Sequence, residues 1–584
     1  MCIFNATTHG LMSNAHTRMQ GSTIHETYSS VMKKFFATQV IIMVVIMMAK
    51  TILPYCRIRS LLASYAAASS SVKGSISQGS MPLRRGNRLQ VRRTFADPME
   101  VARAEPRPPR PSASVMLRRG GEILVCHRVS SVPAFPDYWA FPGGGVSRVD
   151  QAALDSHPGW FPQRDADERA ALVALFREMV EEVGISPGAN GLEIVDEELR
   201  HRILADKGAW TQAVDAGEIN LNDEGFIVIS ERTTPPLAPL RFRNHFFTME
   251  CDIDPILISG DKAEFDAYRW ATPQQLLEEW HANQIRLPPP LIMILRELSE
   301  GPIEDSIGKM SASPPRQNLR IEFAPGVECL PLPTATLPPA THTNCYILGV
   351  PGGERVIIDP AAKCSEGLTQ LQEKVNQIMA DGSVIKATIY THRHGDHIGD
   401  LTAVSEIYQA PIWASSETLE IIPSSNSNRV IGEGDSFVLN GPDNEIRWNI
   451  IETPGHCPGQ ICLISDAGVI SADNVVQVGT ILVPSGEGDM TAYIEGLYRL
   501  RELDANLLFP GHGPVVTNPH KLLTHYIKHR ENRHEAVFSA WQNGLREIEE
   551  LSHTAYADTP DAHPLLKIDQ TMSHLDALRR EGRI

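Results

Sequence analysis

Seven consecutive residues constrain this chain more than any others: Thr391-His392-Arg393-His394-Gly395-Asp396-His397. They run straight on from Ala387–Tyr390, a mostly apolar stretch that reads as a strand, so the ligand-rich segment sits at a strand end. Two imidazoles two residues apart at such an end can converge on one cation, and the Asp-His pair after them can turn back toward a second. Imidazole nitrogen and carboxylate oxygen are the donors that Zn2+ accepts in open, catalytic sites. Further residues of the same chemistry follow in order: His456 in Thr453-Pro454-Gly455-His456, Asp473 after Val469-Ile470, and His512 in Pro510-Gly511-His512-Gly513. Each comes soon after a short strand-like run (Asn449–Ile451, Val469-Ile470, Leu507–Phe509), which predicts loops gathered at one sheet edge. Any one of these histidines alone reads as a surface or core residue. The whole series reads as a dinuclear metal site, in which a three-histidine position leaves room for a water of lowered pKa.

This series resembles the metallo-β-lactamase superfamily, and the resemblance spans 321 to the end of the sequence. It implies an αββα sandwich over 321–520 with two Zn2+ ions, one on His392, His394 and His456, the other on Asp396, His397 and His512. Asp473 would bridge them and act catalytically, accepting the proton of the attacking water. Asn344, in Thr343-Asn344-Cys345-Tyr346, resembles a structural element of the same fold, and Ala472 stands where relatives carry Gly. Cys457, beside His456, reads as a small packed thiol. Helices over Lys521–Trp541, Leu545–Leu551 and Asp569–Glu581 resemble the small helical winged-helix tail of the lactamase-beta-2-like branch, giving a tail over 521–584. Relatives with that tail include thioester hydrolases and single-strand endoribonucleases. Lys528, Arg530 and Arg533 along the first tail helix read either as phosphate contacts or as a solvated helix face.

A second domain precedes this one. Ser114–Leu117 and Ile123–Cys126 read as strands around the Arg119-Gly120-Gly121 turn, followed by Trp139-Ala140-Phe141-Pro142-Gly143-Gly144-Gly145 and later Arg177-Glu178-Met179-Val180-Glu181-Glu182-Val183-Gly184. Glu178, Glu181 and Glu182 fall at i, i+3 and i+4 on one helix face, where three acids repel unless a hard cation such as Mg2+ or Mn2+ relieves them. These segments resemble the Nudix hydrolases, whose box reads Gly, Glu, then Arg-Glu-x-x-Glu-Glu-x-Gly. The resemblance implies an α/β/α sandwich over 112–300, with Glu178 catalytic and Glu178, Glu181 and Glu182 as metal ligands. Counting back from Arg177 lands on Arg169 where the box has its first acid, and roughly 18 residues are inserted between Gly145 and Arg177. The insertion, Arg269–Pro273 and Leu287–Pro290 look like the branch that contains coenzyme A diphosphatases. A further metal carboxylate is Glu264 or Asp266.

The chain of 584 residues is too long for one core, and the expectation is an α/β multidomain protein. Gly301 to Leu319 is polar, with Pro and Ser, and reads as an interdomain linker over 301–320. Residues 321–584 hold 18 basic and 34 acidic residues, a net of −16, which opposes broad contact with a polyanion. Residues 1–98 differ: through Ala96 they contain one acid, Glu26, against 12 Lys and Arg. The apolar run Val40–Ala49 falls short of the ~20 residues of a membrane span. Organelle targeting, a membrane anchor and a stretch absent from the mature protein all remain open, and localisation follows whichever holds. Nine scattered cysteines without a CxxC read as reduced thiols. The expected partners are small molecules, with a coenzyme A derivative as one candidate and RNA as another, and no stable membrane partner. The Nudix-like half is either a second hydrolase or a ligand sensor.

Overall fold

The computed structural model describes residues 106–189, 191–315 and 320–584. The basic extension and its apolar run lie outside the described residues. Among the described residues no helix is long and apolar enough to cross a membrane.

In the first domain, strand Arg110–Arg119 turns at Gly120 into the antiparallel Glu122–Arg128 and pairs in parallel with Phe242–Glu250 over nine residues. Alternation along these strands builds two cores. Ala113, Val115, Leu117, Leu124 and Cys126 face helix Ala166–Val183 through Phe176, Met179 and Val180. Met116, Ile123 and Val125 face the opposite way, onto Trp280, Leu291 and Leu295 of helices Pro273–His281 and Pro289–Leu298. Helices therefore cover both faces of a mixed sheet, as expected of an α/β/α sandwich.

The expected linker is largely not one. Ile303–Ala312 is a helix, and Ile303, Ile307 and Met310, at i, i+4 and i+7, pack on the same core as Trp280. Its apolar stripe is short and was masked by the flanking Gly, Ser and Pro.

The second domain packs a seven-stranded sheet (Glu322–Ala324 to Arg429–Val430) against a five-stranded one (Ser436–Asn440 to Leu508–Pro510). Tyr346, Leu348, Ile358 and Ile389 of the first sheet meet Phe437, Trp448, Ile450 and Ile470 of the second. Outward-facing Ile347 and Ile357 are covered by Leu371, Val375 and Ile378 of helix Ser365–Ala380. Cys462, Val469 and Leu508 are covered by helices Met490–Glu502 and Pro519–Gln542 through Leu497, Leu523 and Tyr526. The expected tail thus begins inside this outer layer. It continues as Ile548–Ala555 and Pro564–Arg580, and no strand lies beyond Val516 among the described residues.

Candidate metal centres

Strands Glu354–Ile358 and Val384–Ile389 run parallel, as do Gly468–Ala472 and Leu508–Pro510, so each pair ends at a common edge. The segments after these strands, together with the loop after Glu445–Glu452, carry all seven ligand-type residues predicted from the sequence. Donor atoms of His392, His394 and His456 lie within 4.8 Å of one another, as do those of His392, His397 and Asp473, and of Asp396, His397 and His512. Asp473 stands between the groups: Oδ2 is 3.6 Å from His456 Nε2 and 3.4 Å from His512 Nε2, and Oδ1 is 3.5 Å from His397 Nε2.

The outer hydrogen bonds fix which ring nitrogen points inward. His456 Nδ1 donates to Leu482 O at 2.6 Å, His512 Nδ1 to His342 O at 2.9 Å, and His397 Nδ1 to Asp359 Oδ2 at 2.9 Å. Thr391 Oγ1 donates to Asp359, so it accepts from His392 Nδ1. Glu487 lies 3.4 Å from His394 Nε2, leaving Nδ1 inward. Bare nitrogens then face each other, His456 Nε2 and His394 Nδ1 at 2.9 Å, His397 Nε2 and His512 Nε2 at 3.2 Å. Lone pairs that close repel unless a cation or proton lies between them. His392 Nε2 and Asp473 Oδ1 are buried without a hydrogen-bond partner. These donors fit metal ions, and the outer partners match the way ligating histidines are oriented in metal sites.

Electrostatics divides the cluster. Burial, with repulsion from the neighbouring rings, holds His392 well below its usual value and His456 down to about 4, so both rings are neutral. Burial opposes protonation of His512 too, but the Asp473 carboxylate lifts it to about 10. His397 rises for the same reason, and a cation entering there displaces protons.

Backbone detail matches this crowding. A Cβ at Gly511 would lie 2.3 Å from Asp473 Oδ1, so only glycine fits. Asn344 Nδ2 donates to Pro510 O and Gly513 O at 2.9 and 2.8 Å, clamping the loop that carries His512. Ala472 has φ of 45°, the left-handed region in which a side chain is strained. Cys457 is fully buried, with its thiol 3.8 Å from Glu487. Sequence reasoning missed Asp359 and Glu487. Asp359 ends the apolar run Val356–Ile358, a visible signal, whereas Glu487 sits in an irregular loop with none.

Two sequence readings need correction. Arg530 and Arg533 are buried, bonded to Gln570 and Thr480 and to Ala555 and Asp558 respectively. They are internal fasteners and offer no phosphate contact; Lys528 alone of the three is exposed. In the first domain, Arg169 donates to Trp160 O and Pro158 O within the insertion. The acid that meets Arg177 is Asp150, through bonds of 2.7 and 2.9 Å, on helix Arg148–Ser156 directly after the glycines. The insertion follows this acid, so counting forward from Gly144 finds it and counting back from Arg177 does not.

Nor are the three glutamates all unpaired. Glu181 bonds Arg177 at 3.0 Å and lies 3.5 Å from Lys207 Nζ, and Glu178 also pairs with Arg177. Glu182 accepts from Gly143 N at 2.7 Å, while its Oε1 is buried and unpartnered. Burial, then repulsion from Glu178 and Glu264, raises Glu182 well above the usual range. Glu264 pairs with Arg128 at 3.3 Å, whereas Asp266 bonds His127. An orphaned buried oxygen among repelling carboxylates fits a hard cation.

Residues 338–512 match the model of the Metallo-beta-lactamase superfamily, and residues 108–289 match that of the NUDIX domain. The chain joins a NUDIX domain to a hydrolase domain of the metallo-β-lactamase superfamily, families that are typically metal-dependent. It is 24% identical to the beta-lactamase-like protein 2 homolog of Caenorhabditis elegans over 41% of this chain and 79% of that protein. It is 26% identical to an atrochrysone carboxyl ACP thioesterase of Aspergillus fumigatus, over 35% of this chain and 61% of that protein, less than two thirds of its length. Among solved structures it is similar to a NUDIX hydrolase from Alicyclobacillus acidocaldarius, 23% identical over 35% of this chain and 99% of that one, with a TM-score of 0.31.

Proposed function

We propose that the metallo-β-lactamase domain is a dinuclear zinc hydrolase of esters or thioesters, with acyl thioesters of a pantetheine-type carrier as the preferred class. The observation that carries this is the set of inward-facing bare nitrogens around Asp473. His392, His394 and His456 would hold one ion, Asp396, His397 and His512 the other, with Asp473 between them. When bound, such ions polarise the scissile carbonyl and lower the pKa of water. Asp473 would hold the attacking water in place and take up its proton, and the missing side chain at Gly511 lets that carboxylate sit against the backbone. A cavity of about 660 Å3 adjoins this edge, lined by Gly455, Glu487 and Asp489 and by Arg579 and Arg580 of the last helix. It offers space for a long acyl-carrier arm. Similarity to a fungal thioesterase supports the thioester reading, and the burial of Arg530 and Arg533 removes the main support for a nuclease.

In the NUDIX domain, Glu178 and Glu182 would hold Mg2+ or Mn2+ and cleave a diphosphate, for which a coenzyme A derivative is the candidate. Asp150 holds Arg177 and thereby orients the helix that carries both glutamates.

The test assays the zinc-loaded full chain beside His392→Ala on acyl-coenzyme A and on labelled single-stranded RNA. Thioester cleavage lost in the variant is expected. RNA cleavage without thioester cleavage overturns the reading. In the same assay, Glu178→Gln removes diphosphate cleavage; a native chain that binds the nucleotide without cleaving it makes this half a sensor instead.

A further inference from the structure

Residues 474–489 connect strand Gly468–Ala472 to helix Met490–Glu502 without regular structure. This irregular loop supplies the outer partners of two histidines: Leu482 O accepts from His456 Nδ1, and Glu487 faces His394 Nε2. Glu487 is itself gripped by Arg393, at 3.0 Å to Nε and 2.9 Å to Nη2. Both histidines belong to the same three-histidine group.

A loop with no ladder of its own needs its backbone groups satisfied from elsewhere. Here the C-terminal helices do so, residue by residue. Tyr526 OH accepts from Val476 N and donates to Val476 O. Arg530 donates to Thr480 Oγ1 at 2.8 Å and to Ile481 O. Gln570 Nε2 donates to Val483 O at 2.7 Å, while its Oε1 accepts from Arg530 Nη1 at 2.9 Å. Asp569 Oδ1 accepts from Ser485 Oγ at 2.7 Å. Leu482 is thus flanked by Ile481 and Val483, each tied to a different tail helix, and Ser485 is tied down two residues before Glu487.

We infer that the tail is a brace for the three-histidine site, with Arg530, Asp569 and Gln570 as positioning residues that set the angle of His456 and His394 through residues 480–487. The inference rests on the dinuclear reading above. The opposite group takes its outer partners from His342, on strand His342–Leu348 of the first sheet, and from Asp359, directly after strand Glu354–Ile358 of that sheet. The brace therefore acts on one ion and not the other, an asymmetry that general stabilisation by the tail does not produce.

Zn2+ affinity of the full chain, measured by competition with a chelating dye, tests this without any assay of turnover. Loss of an outer partner weakens metal binding by about 10–100-fold, so one residue further out the lower end applies. In Gln570→Leu and Asp569→Ala, one of the two ions is expected to bind about tenfold more weakly while the other is unchanged. Asp569→Asn keeps the oxygen that Ser485 uses and is expected to restore native affinity. Leu551→Ala loosens the tail's own core, away from the loop, and is expected to leave both ions alone. Native retention of both ions in Gln570→Leu and Asp569→Ala overturns the brace, as does equal weakening in Leu551→Ala. A native chain that holds fewer than two Zn2+ fails the dinuclear reading, and the brace falls with it.

Discussion

The two candidate centres solve the problem of gathering ligands in opposite ways. In the metallo-β-lactamase domain the donors are mostly imidazoles, each held by an outer oxygen that leaves one bare nitrogen facing inward. In the NUDIX domain the donors are carboxylates on a single helix, and the nearest balancing charge is Arg177, fully buried against Asp150, Glu178 and Glu181. The first site is preorganised by hydrogen bonds from separate elements. The second is held by charge balance within and beside one helix. Geometry should therefore govern the first, and charge the second.

The sharpest way to break this contrast is His392→Ala, which removes a nitrogen shared by two ligand groups. Loss of hydrolysis and of one zinc equivalent by elemental analysis is expected, with diphosphate cleavage untouched. A variant that keeps two ions shows that the donors do not act as one lattice.

Asp150→Ala probes the other side. It leaves a buried guanidinium short of its best partner and should cost about 3 kcal/mol in denaturant unfolding of the NUDIX domain. A cost below about 1 kcal/mol, the range of an exposed pair, shows that Glu178 and Glu181 suffice to hold Arg177.

Asp359→Ala removes the oxygen shared by Thr391 and His397. Zinc affinity should fall about 10–100-fold with little change in fold, read by the same dye competition. An unchanged affinity means that the orientation of His397 does not matter.

A pH series in chelator sharpens the electrostatic half. Burial raises Glu178, against the pull of Arg177 and with repulsion from Glu181, and burial and Glu178 raise Glu182 further. A carboxyl raised in the folded state contributes stability that is full below its unfolded value near 4.5 and is lost as the pH rises through the folded value. The metal-free NUDIX transition should therefore fall in temperature as the pH rises above 4.5, and Mg2+ should restore it most at high pH. Glu178→Gln should flatten the dependence, and an equally steep curve in that variant assigns it to other groups.

The smallest effect expected is at Ala472. Replacement by Gly relieves the left-handed strain and should stabilise the metal-free domain by about 1 kcal/mol in calorimetry. No gain means that the neighbouring bonds already absorb the strain.

The histidine series was legible because its members lie in short motifs directly after strand-like runs, so chain order alone predicted one edge. Ser114–Leu117 and Ile123–Cys126 were legible as strands, whereas the two cores that their alternating side chains feed appear only in the fold. Asp150 was hidden by its separation of 27 positions from Arg177, Glu487 by a loop without pattern, and the burial of Arg530 by a helix whose charged residues do not announce which way they face.

The sequence by itself therefore determined the two domain types, the donor chemistry and the edge where the donors collect, because these depend on residue type and local periodicity. Only the tertiary structure decided which acid meets Arg177, which oxygens orient the histidines, and that Arg530 braces a loop. Those are contacts between segments distant in the chain, and packing and burial select them.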